Sequence, residues 1–251
     1  MKIFYVFLFF FFHTSASSQN LVYNDQEIKT LIKSGLDKTY NFEFDSAEKI
    51  YAQVKVKYPL NPAYNFLMAL NSYWKMFYFN NYKEKSSEYL KFLEDALQQT
   101  EQLDKIAHNN PETIFFYLAI HSSFALYFVQ NKEKMKAVGS AKKTYDNIRN
   151  GYPLKEKYAE LYFSSGIYDF YREQYPITHP VYKSFLWMFA PGSKQKGLQE
   201  LLMASKYSVF SRTEAKFYLV MILLKYENDP TGALLHADGL IKQYPKNMNF
   251  L

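Results

Sequence analysis

The sequence predicts an all-α protein, built as a solenoid of antiparallel helix pairs, from three observations. From residue 24 onward, apolar residues recur at spacings of three and four, the period of helices that bury one face. The 251 residues include only eight Gly and nine Pro, which is too few for a turn-dense all-β chain. A pattern of small, aromatic and proline residues also occurs three times along the chain.

The helical periodicity is interrupted where turn and cap residues cluster, for example at Pro59 and Pro62, at Asn110-Pro111 and at Asp229-Pro230. These interruptions predict about ten helices. In chain order they are 46–58, 63–79, 82–107, 112–129, 132–149, 155–173, 181–190, 193–207, 213–226 and 230–244.

The repeated pattern joins these helices into pairs. Its three copies are Ala47-Tyr51-Val54-Tyr58-Pro59, Ala141-Tyr145-Ile148-Tyr152-Pro153 and Ala233-Ala237-Leu240-Tyr244-Pro245. The small Ala allows two antiparallel helices to approach closely, and the Pro ends the second helix of the pair. Because such a pair cannot cover its own apolar face, neighbouring pairs must stack into a solenoid.

This spacing resembles the tetratricopeptide repeat (TPR), a 34-residue helix–turn–helix unit. The residues that match its small, aromatic and proline positions are Gly35, Ala47, Tyr51, Val54 and Pro59. The copies start 94 and 92 residues apart (47 to 141 to 233), so the repeats are degenerate. The stretch 35–251 is similar to secreted TPR proteins of the Bacteroidetes type. The resemblance implies a right-handed α-solenoid that serves as a scaffold or peptide-binding surface, and it implies no enzymatic activity.

Residues 1–18 have the features of a secretory signal peptide. Lys2 precedes an unbroken apolar run over residues 3–12, which is too short to span a bilayer, and Ala16 and Ser18 fit the small-x-small cleavage rule. An uncleaved membrane anchor is the alternative. We therefore expect an exported protein, periplasmic or extracellular, with one TPR-like domain over 19–251 and no transmembrane span after cleavage.

The chain ends on a sequence that resembles the start of an earlier helix. Both Tyr58-Pro59 and Tyr244-Pro245 are followed within a few residues by Asn and then by Asn-Phe-Leu. The second Asn-Phe-Leu is Asn249-Phe250-Leu251 at the end of the chain. Solenoids normally finish with a polar capping helix. We therefore expect the array to be truncated at its C-terminal end, with its last apolar face uncapped.

The composition argues against several classes of partner and chemistry. The net charge of +6 comes from Lys, and only three Arg are present, which disfavours specific nucleic-acid readout. The absence of Cys excludes disulfides, thiol nucleophiles and zinc–cysteine sites. The His residues have no partners at metal-ligand spacing, and His121 is predicted to be a packed core residue. We predict no cofactor and no metal.

Two carboxylate pairs stand at helical i,i+4 spacing, Glu156 with Glu160 and Asp169 with Glu173. Both are expected to lie on solvated faces beside Lys or Arg rather than to act as an acid–base pair. The turn before residue 193 lacks the frame of a phosphate-binding loop, and Ser193 is predicted to be a helix N-cap. We predict no catalytic residue.

The leading functional interpretation is therefore an exported, non-catalytic scaffold that binds a protein or peptide, with an envelope complex as one setting. In solenoids of this type the first helix of each pair lines the groove, which yields six candidate groove residues: Tyr73, Lys75, Tyr162, Tyr168, Lys216 and Tyr218. One alternative is an envelope polysaccharide-binding or hydrolytic protein, which needs two close inward carboxylates beside an exposed Trp74 or Trp187. Another is a carrier of apolar ligands, which needs a large enclosed cavity.

Overall fold

The computed structural model describes residues 21–80 and 82–250, except for the side chains of residues 82–85, 182 and 185. Ten α-helices and no strand occur in this part of the chain. The helices are α1 Gln26–Tyr40, α2 Phe44–Lys57, α3 Ala63–Phe79, α4 Tyr82–Ile106, α5 Pro111–Gln130, α6 Lys134–Gly151, α7 Leu161–Thr178, α8 Lys194–Tyr207, α9 Arg212–Lys225 and α10 Pro230–Gln243. The expected signal peptide lies outside the described residues.

Each helix packs chiefly against its chain neighbour, α1 on α2, α3 on α4, α5 on α6, α7 on α8 and α9 on α10. Consecutive pairs stack through α2 on α3, α4 on α5, α6 on α7 and α8 on α9. The predicted all-α solenoid of antiparallel pairs is thereby confirmed. We number the pairs one to five in chain order.

Side-chain caps explain where several helices begin. Asp25 accepts a hydrogen bond from the Ile28 amide at the start of α1, and Asn110 accepts one from the Glu112 amide at the start of α5. Ser193 caps α8 as expected, by accepting from the Lys196 amide. Each cap satisfies a backbone donor that the first helical turn leaves without a partner.

Three segments differ from the predicted helices. The helix α1, Gln26–Tyr40, is absent from the predicted set, which begins at residue 46. The stretch 155–160 is a turn rather than the start of α7, because Lys155 and Glu160 are both buried and form tertiary contacts. The predicted helix 181–190 is a 3-10 segment over Pro180–Met188. Arg172 on α7 holds this segment by donating to the Leu186 carbonyl at 2.6 Å and to the Ala190 carbonyl at 3.0 Å.

Only α5, among the described residues, is long and apolar enough to cross a membrane. Half of its most apolar window is buried in the fold. Phe116 and Ile120 on this helix have no solvent exposure and belong to the main core. Packing therefore explains the buried half of α5, whereas Leu126 and Val129 near its C-terminal end are exposed.

The fifth pair also contacts the first pair. Asp37 on α1 accepts hydrogen bonds from Arg212 at 2.9 Å, Gln243 at 3.0 Å and Tyr244 at 2.8 Å. Asn247 is fully buried and donates from its side-chain amide to the Tyr40 carbonyl at 2.9 Å. These contacts bring α9, α10 and the residues after them against the start of the array.

The last described residues form a 3-10 turn, Met248–Phe250, that packs inward. Phe250 is 9% exposed, and its ring lies 5.7 Å from that of Tyr244 and 6.3 Å from that of Trp74. The expected truncation of the array stays a prediction.

Candidate functional site

The contact between the first and fifth pairs leaves a pocket of about 250 Å³. Its walls come from α1, α3, α9 and the final 3-10 turn. These helices are the first helices of pairs one, two and five, which is where the sequence places a groove. Six aromatic residues line the pocket: Tyr40, Tyr73, Trp74, Phe77, Phe217 and Phe250.

The aromatic rings support one another through edge contacts. Trp74 meets the ring of Tyr40 at 5.5 Å and that of Phe77 at 6.0 Å, both in T-shaped geometry. Phe217 on α9 lies 6.0 Å from Phe250. Because such ring pairs stabilise each other beyond simple burial, the walls of the pocket are preorganised.

Glu214 is the only acidic residue among the described residues that line the pocket. One of its carboxyl oxygens accepts a hydrogen bond from the Tyr40 hydroxyl. The other oxygen, Oε2, is buried and has no hydrogen-bond partner. Burial raises the pKa of Glu214 from 4.5 to about 7, and the Tyr40 hydrogen bond opposes this rise.

Two positive side chains near Glu214 have partners elsewhere, although Arg212 Nε is buried without a hydrogen-bond partner. Arg212 is paired with Asp37 at 2.9 Å, and Lys216 donates to the side chain of Gln243 at 3.2 Å. Neither lines the pocket. A second carboxyl, that of Glu160, lies close enough to raise the pKa of Glu214 further. The pocket is therefore apolar with an acidic floor.

The structure brings two of the six candidate groove residues together. Tyr73 lines the pocket, and Tyr218 lies beside it, packed on Phe217 at 6.1 Å and on Phe163 at 5.6 Å. Burial raises the pKa of Tyr218, with smaller contributions from Glu214 and Tyr73.

The other candidates lie outside the pocket. Lys216 faces Gln243, and Lys75 forms an ion pair with Glu48 on α2. The Tyr168 hydroxyl donates to the Ala190 carbonyl at 2.5 Å and so helps to hold the 3-10 segment. Tyr162 is half-buried on α7.

The residues of the repeated pattern occupy different environments in the three copies. Ala47 and Tyr51 are fully buried, and a Cβ at Gly35 would lie 2.3 Å from the Tyr51 ring. Ala233 is buried in the third copy and Ala237 is half-buried. In the second copy Ala141 is exposed and Tyr145 is half-buried. Pro59, Pro153 and Pro245 are all exposed, directly after the second helix of a pair or within its closing turn.

The tyrosine before each of these prolines has a shared role. Tyr58 donates to Asp25 at 2.9 Å, Tyr152 donates to Asp169 at 2.8 Å, and Tyr244 donates to Asp37 at 2.8 Å. In each copy an aspartate on or capping a first helix accepts the hydroxyl. The tyrosines are recognisable in the sequence from the repeated pattern, whereas their acceptors are not.

One member of each carboxylate pair was wrongly expected to lie on a solvated face. Glu160 is 3% exposed and accepts hydrogen bonds from the amides of Val209, Phe210 and Ser211 and from the Ser211 hydroxyl. Asp169 is fully buried against Tyr152. Tertiary contacts override the i,i+4 pattern because both side chains point to neighbouring segments of the fold rather than to solvent.

A second polar cluster joins the 152–155 turn to α7 and α8. Buried Lys155 pairs with Glu200, and Tyr152 links Asp169 to Lys196. Burial raises the pKa of Asp169. Each carboxyl accepts a hydrogen bond through one oxygen, while Asp169 Oδ1 and Glu200 Oε2 are buried without a hydrogen-bond partner. Lys155 and Lys196 already supply positive charge here, so we interpret the cluster as a structural tie between helices.

The histidine and tryptophan side chains lie in different environments. His121 is 6% exposed, with its ring stacked 6.3 Å from that of Tyr117, and burial lowers its pKa to about 4. The structure confirms it as a packed residue. Within the described residues no group of three or more His, Asp or Glu could hold a metal ion. Trp74 is packed, whereas Trp187 is 83% exposed on the 3-10 segment.

Of the nine described lining residues, only Tyr73 was a predicted groove residue, and Glu214 is the charged one among the eight others. It follows Thr213 and precedes Ala215 in the first turn of α9, where an acidic side chain is ordinarily explained by the helix dipole. The fixed position of Tyr40 opposite it depends on a contact between residues 174 positions apart. No local signal in the sequence carries that information.

Comparison with known proteins gives limited similarity. No family model matches the chain, and no curated protein matches it. Among solved structures, it is similar to the crystal structure of a thermophilic TPR protein from Thermus thermophilus. The two chains are 14% identical, with 89% of this chain and 94% of the other covered at a TM-score of 0.45. The assignment of the fold therefore depends on the helices of this chain and on how they pack, and not on this similarity.

Proposed function

We propose that this protein is an exported, non-catalytic scaffold of degenerate TPR-like repeats, which binds a protein or peptide partner through the pocket between pairs one, two and five. The observation that carries the proposal is the pocket itself. Its aromatic walls and single carboxyl lie on the first helices of three pairs. The sequence of residues 1–18 supports export, and an envelope complex is the setting that fits it.

The size of the pocket favours a single side chain as its occupant. Small-molecule sites typically measure about 300–1,000 Å³. This pocket, at about 250 Å³, is smaller. Protein interfaces often depend on one anchor side chain that fills such a preorganised aromatic pocket. A partner would insert one residue here and cover the surrounding helix surface.

The two alternative functions have less support. A hydrolase acting on polysaccharide needs two carboxyls facing one opening beside a tryptophan, whereas Glu214 is the single carboxyl among the described lining residues. The indole of Trp74 is half-buried and in T-shaped contact with Tyr40, Tyr73 and Phe250, and two close carboxyls do not lie beside it among the described lining residues. A carrier of apolar ligands would need a larger cavity than this one.

Selection of binders from a random peptide display library tests the proposal. Phe77 lines the pocket and is 44% exposed, whereas Phe79 on the same helix is 59% exposed and is not a lining residue. We expect Phe77→Ala to weaken selected peptides about tenfold or more, as truncation at an interface hot spot does. Phe79→Ala is the matched control and should leave affinity within about twofold. Selected peptides whose affinity is unchanged by Phe77→Ala would contradict the proposal.

A further inference from the structure

We propose that the anchor side chain taken by the pocket is a lysine, whose ammonium group pairs with Glu214 while its methylene stem lies between the aromatic rings. This inference rests on the proposed binding function and specifies its ligand. Three features of the pocket carry it: an unsatisfied acceptor, an absence of positive charge among the described lining residues, and walls suited to an aliphatic cation.

The first feature is the buried Oε2 atom of Glu214. Tyr40 satisfies one carboxyl oxygen, and the other has no donor. If the carboxyl is ionised, Oε2 lacks a donor, and if it is protonated, the O–H lacks an acceptor. A buried polar atom without a partner is destabilising in either state. Because Oε2 is covered in this fold, a ligand in the pocket removes this deficit by donating a hydrogen bond once the Glu214 carboxyl turns toward it.

The second feature is the balance of charge around the floor. Arg212, a positive group that lowers the pKa of Glu214, is already paired with Asp37. Glu160 lies near enough to add negative charge. The pocket therefore favours a cation over a neutral donor or a carboxylate.

The third feature is the geometry of the walls and of the acceptor. Ring faces attract cations and cover methylene groups, so an alkyl-ammonium side chain suits a pocket lined by six aromatic residues. Only one carboxyl oxygen of Glu214 is unpartnered, and a single acceptor matches the point charge of an ammonium group. The guanidinium fork of arginine instead prefers two acceptors.

Fluorescence of Trp74 tests the inference directly. The chain contains two Trp, and the exposed Trp187 is replaced in a Trp187→Phe background, which leaves Trp74 in the pocket wall as the reporter. Two probes are titrated: Nα-acetyl-lysine methylamide and Nα-acetyl-norleucine methylamide, which has a similar aliphatic stem but lacks the ammonium group.

We expect the lysine probe to change Trp74 emission with roughly tenfold or higher affinity than the norleucine probe, as a buried charge-assisted hydrogen bond provides. Glu214→Gln should remove this preference, and circular dichroism checks that the variant is folded. The affinities of the two probes are first compared on the protein that retains Glu214. The test therefore does not depend on the folding of the Glu214→Gln variant. Equal affinity of the two probes, or no response to either, would overturn the inference.

The outcomes also separate this inference from the proposed function. Display-selected peptides that are sensitive to Phe77→Ala, yet lack lysine and are indifferent to Glu214→Gln, would refute the lysine assignment and leave the binding function standing. A lysine probe that binds when no selected peptide depends on Phe77 would refute the proposed protein-binding role, while the pocket's preference for an ammonium group would hold.

Discussion

At the scale of single residues, one glycine sets the separation of the first two helices. Gly35 on α1 faces the buried ring of Tyr51 on α2, and a Cβ there would lie 2.3 Å from Tyr51 Cε1. The Tyr51 hydroxyl also lies 2.9 Å from the hydroxyl of Thr39, so the ring cannot move without disturbing a buried hydrogen bond. The absence of a side chain at Gly35 is therefore what allows this pair to close.

Gly35→Ala should lower the free energy of unfolding by about 1–3 kcal/mol, as overpacking of a close core contact does. Gly139→Ala is the matched control, because it also lies inside a helix but its Cβ would meet nothing within 4 Å. Gly139→Ala should raise the free energy of unfolding by roughly 0.5–1 kcal/mol, because Ala favours the helical backbone more than Gly does. Urea unfolding measures both. Equal effects of the two substitutions would contradict the role assigned to Gly35.

The carboxyl of Glu214 makes stability depend on pH. Its folded-state pKa is raised from 4.5 to about 7, so between these values the folded protein holds a proton that the unfolded chain has lost. That contribution is fully present below pH 4.5 and is lost as the pH rises through 7. The free energy of unfolding of the wild type, minus that of Glu214→Gln, should fall by about 1–3 kcal/mol between roughly pH 4.5 and 7.5.

Urea unfolding of both proteins across this pH range provides the measurement. His121, whose pKa is lowered to about 4, acts in the opposite direction, but it is present in both proteins and cancels in the difference. A difference that is constant with pH would show that Glu214 does not titrate in this window.

At the scale of structural elements, the turn between α8 and α9 is held by one carboxyl. Glu160 accepts from three consecutive amides, including those of Phe210 at 3.1 Å and Ser211 at 3.0 Å. The Phe210 ring then packs on Phe115 at 5.1 Å and on Phe116 at 5.6 Å. The buried carboxyl thus positions a loop whose aromatic side chain belongs to the main core.

Glu160→Ala should reduce the free energy of unfolding by roughly 2–4 kcal/mol, because it leaves several buried donors without an acceptor. Amide hydrogen exchange at Val209, Phe210 and Ser211 should accelerate more than elsewhere. Glu156→Ala, four residues earlier and exposed, is expected to change stability by less than about 0.5 kcal/mol. Unchanged protection of the three amides would refute this role of Glu160.

Nine of the ten described α-helices were predicted, whereas α1 and several helix ends were not. The bounds of α3 agree with its apolar period, and those of α4 and α10 differ by a single residue at one end. The start of α7 was missed because Lys155 is buried against Glu200 and Glu160 against the α8–α9 turn, and such pairings between distant residues leave no periodic trace. The 3-10 segment Pro180–Met188 has the apolar content of a helix, yet its contacts with Arg172 determine its conformation.

At the scale of the whole molecule, the contact between the first and fifth pairs creates the candidate site. Asp37 on α1 is its centre and binds Arg212, Gln243 and Tyr244. Tyr40, about one turn further along α1, reaches Glu214. The sequence predicted that first helices would line a groove and placed Tyr73 on it. It could not predict that pairs one and five meet, since stacking of neighbours alone does not fix how an array curves.

Asp37→Ala should loosen this contact. We expect a loss of about 1–2 kcal/mol in the free energy of unfolding, moderated by the partial exposure of the carboxylate. In the Trp187→Phe background the emission of Trp74 should shift to longer wavelength as water enters the pocket. Ser34→Ala, exposed on the same helix, serves as the control. Identical stability and emission in the two variants would show that Asp37 does not hold the pairs together.

A protein partner that docks at the pocket should lie within reach of Phe77 and not of Phe79. Photo-cross-linking in the native cells measures this most directly, with Phe77→p-benzoylphenylalanine in the pocket wall and Phe79→p-benzoylphenylalanine outside it on the same helix. We predict a protein adduct from position 77 that is lost when Glu214→Gln is added, and none from position 79. An adduct from position 79 as strong as that from position 77, or no adduct from position 77, would contradict the claim.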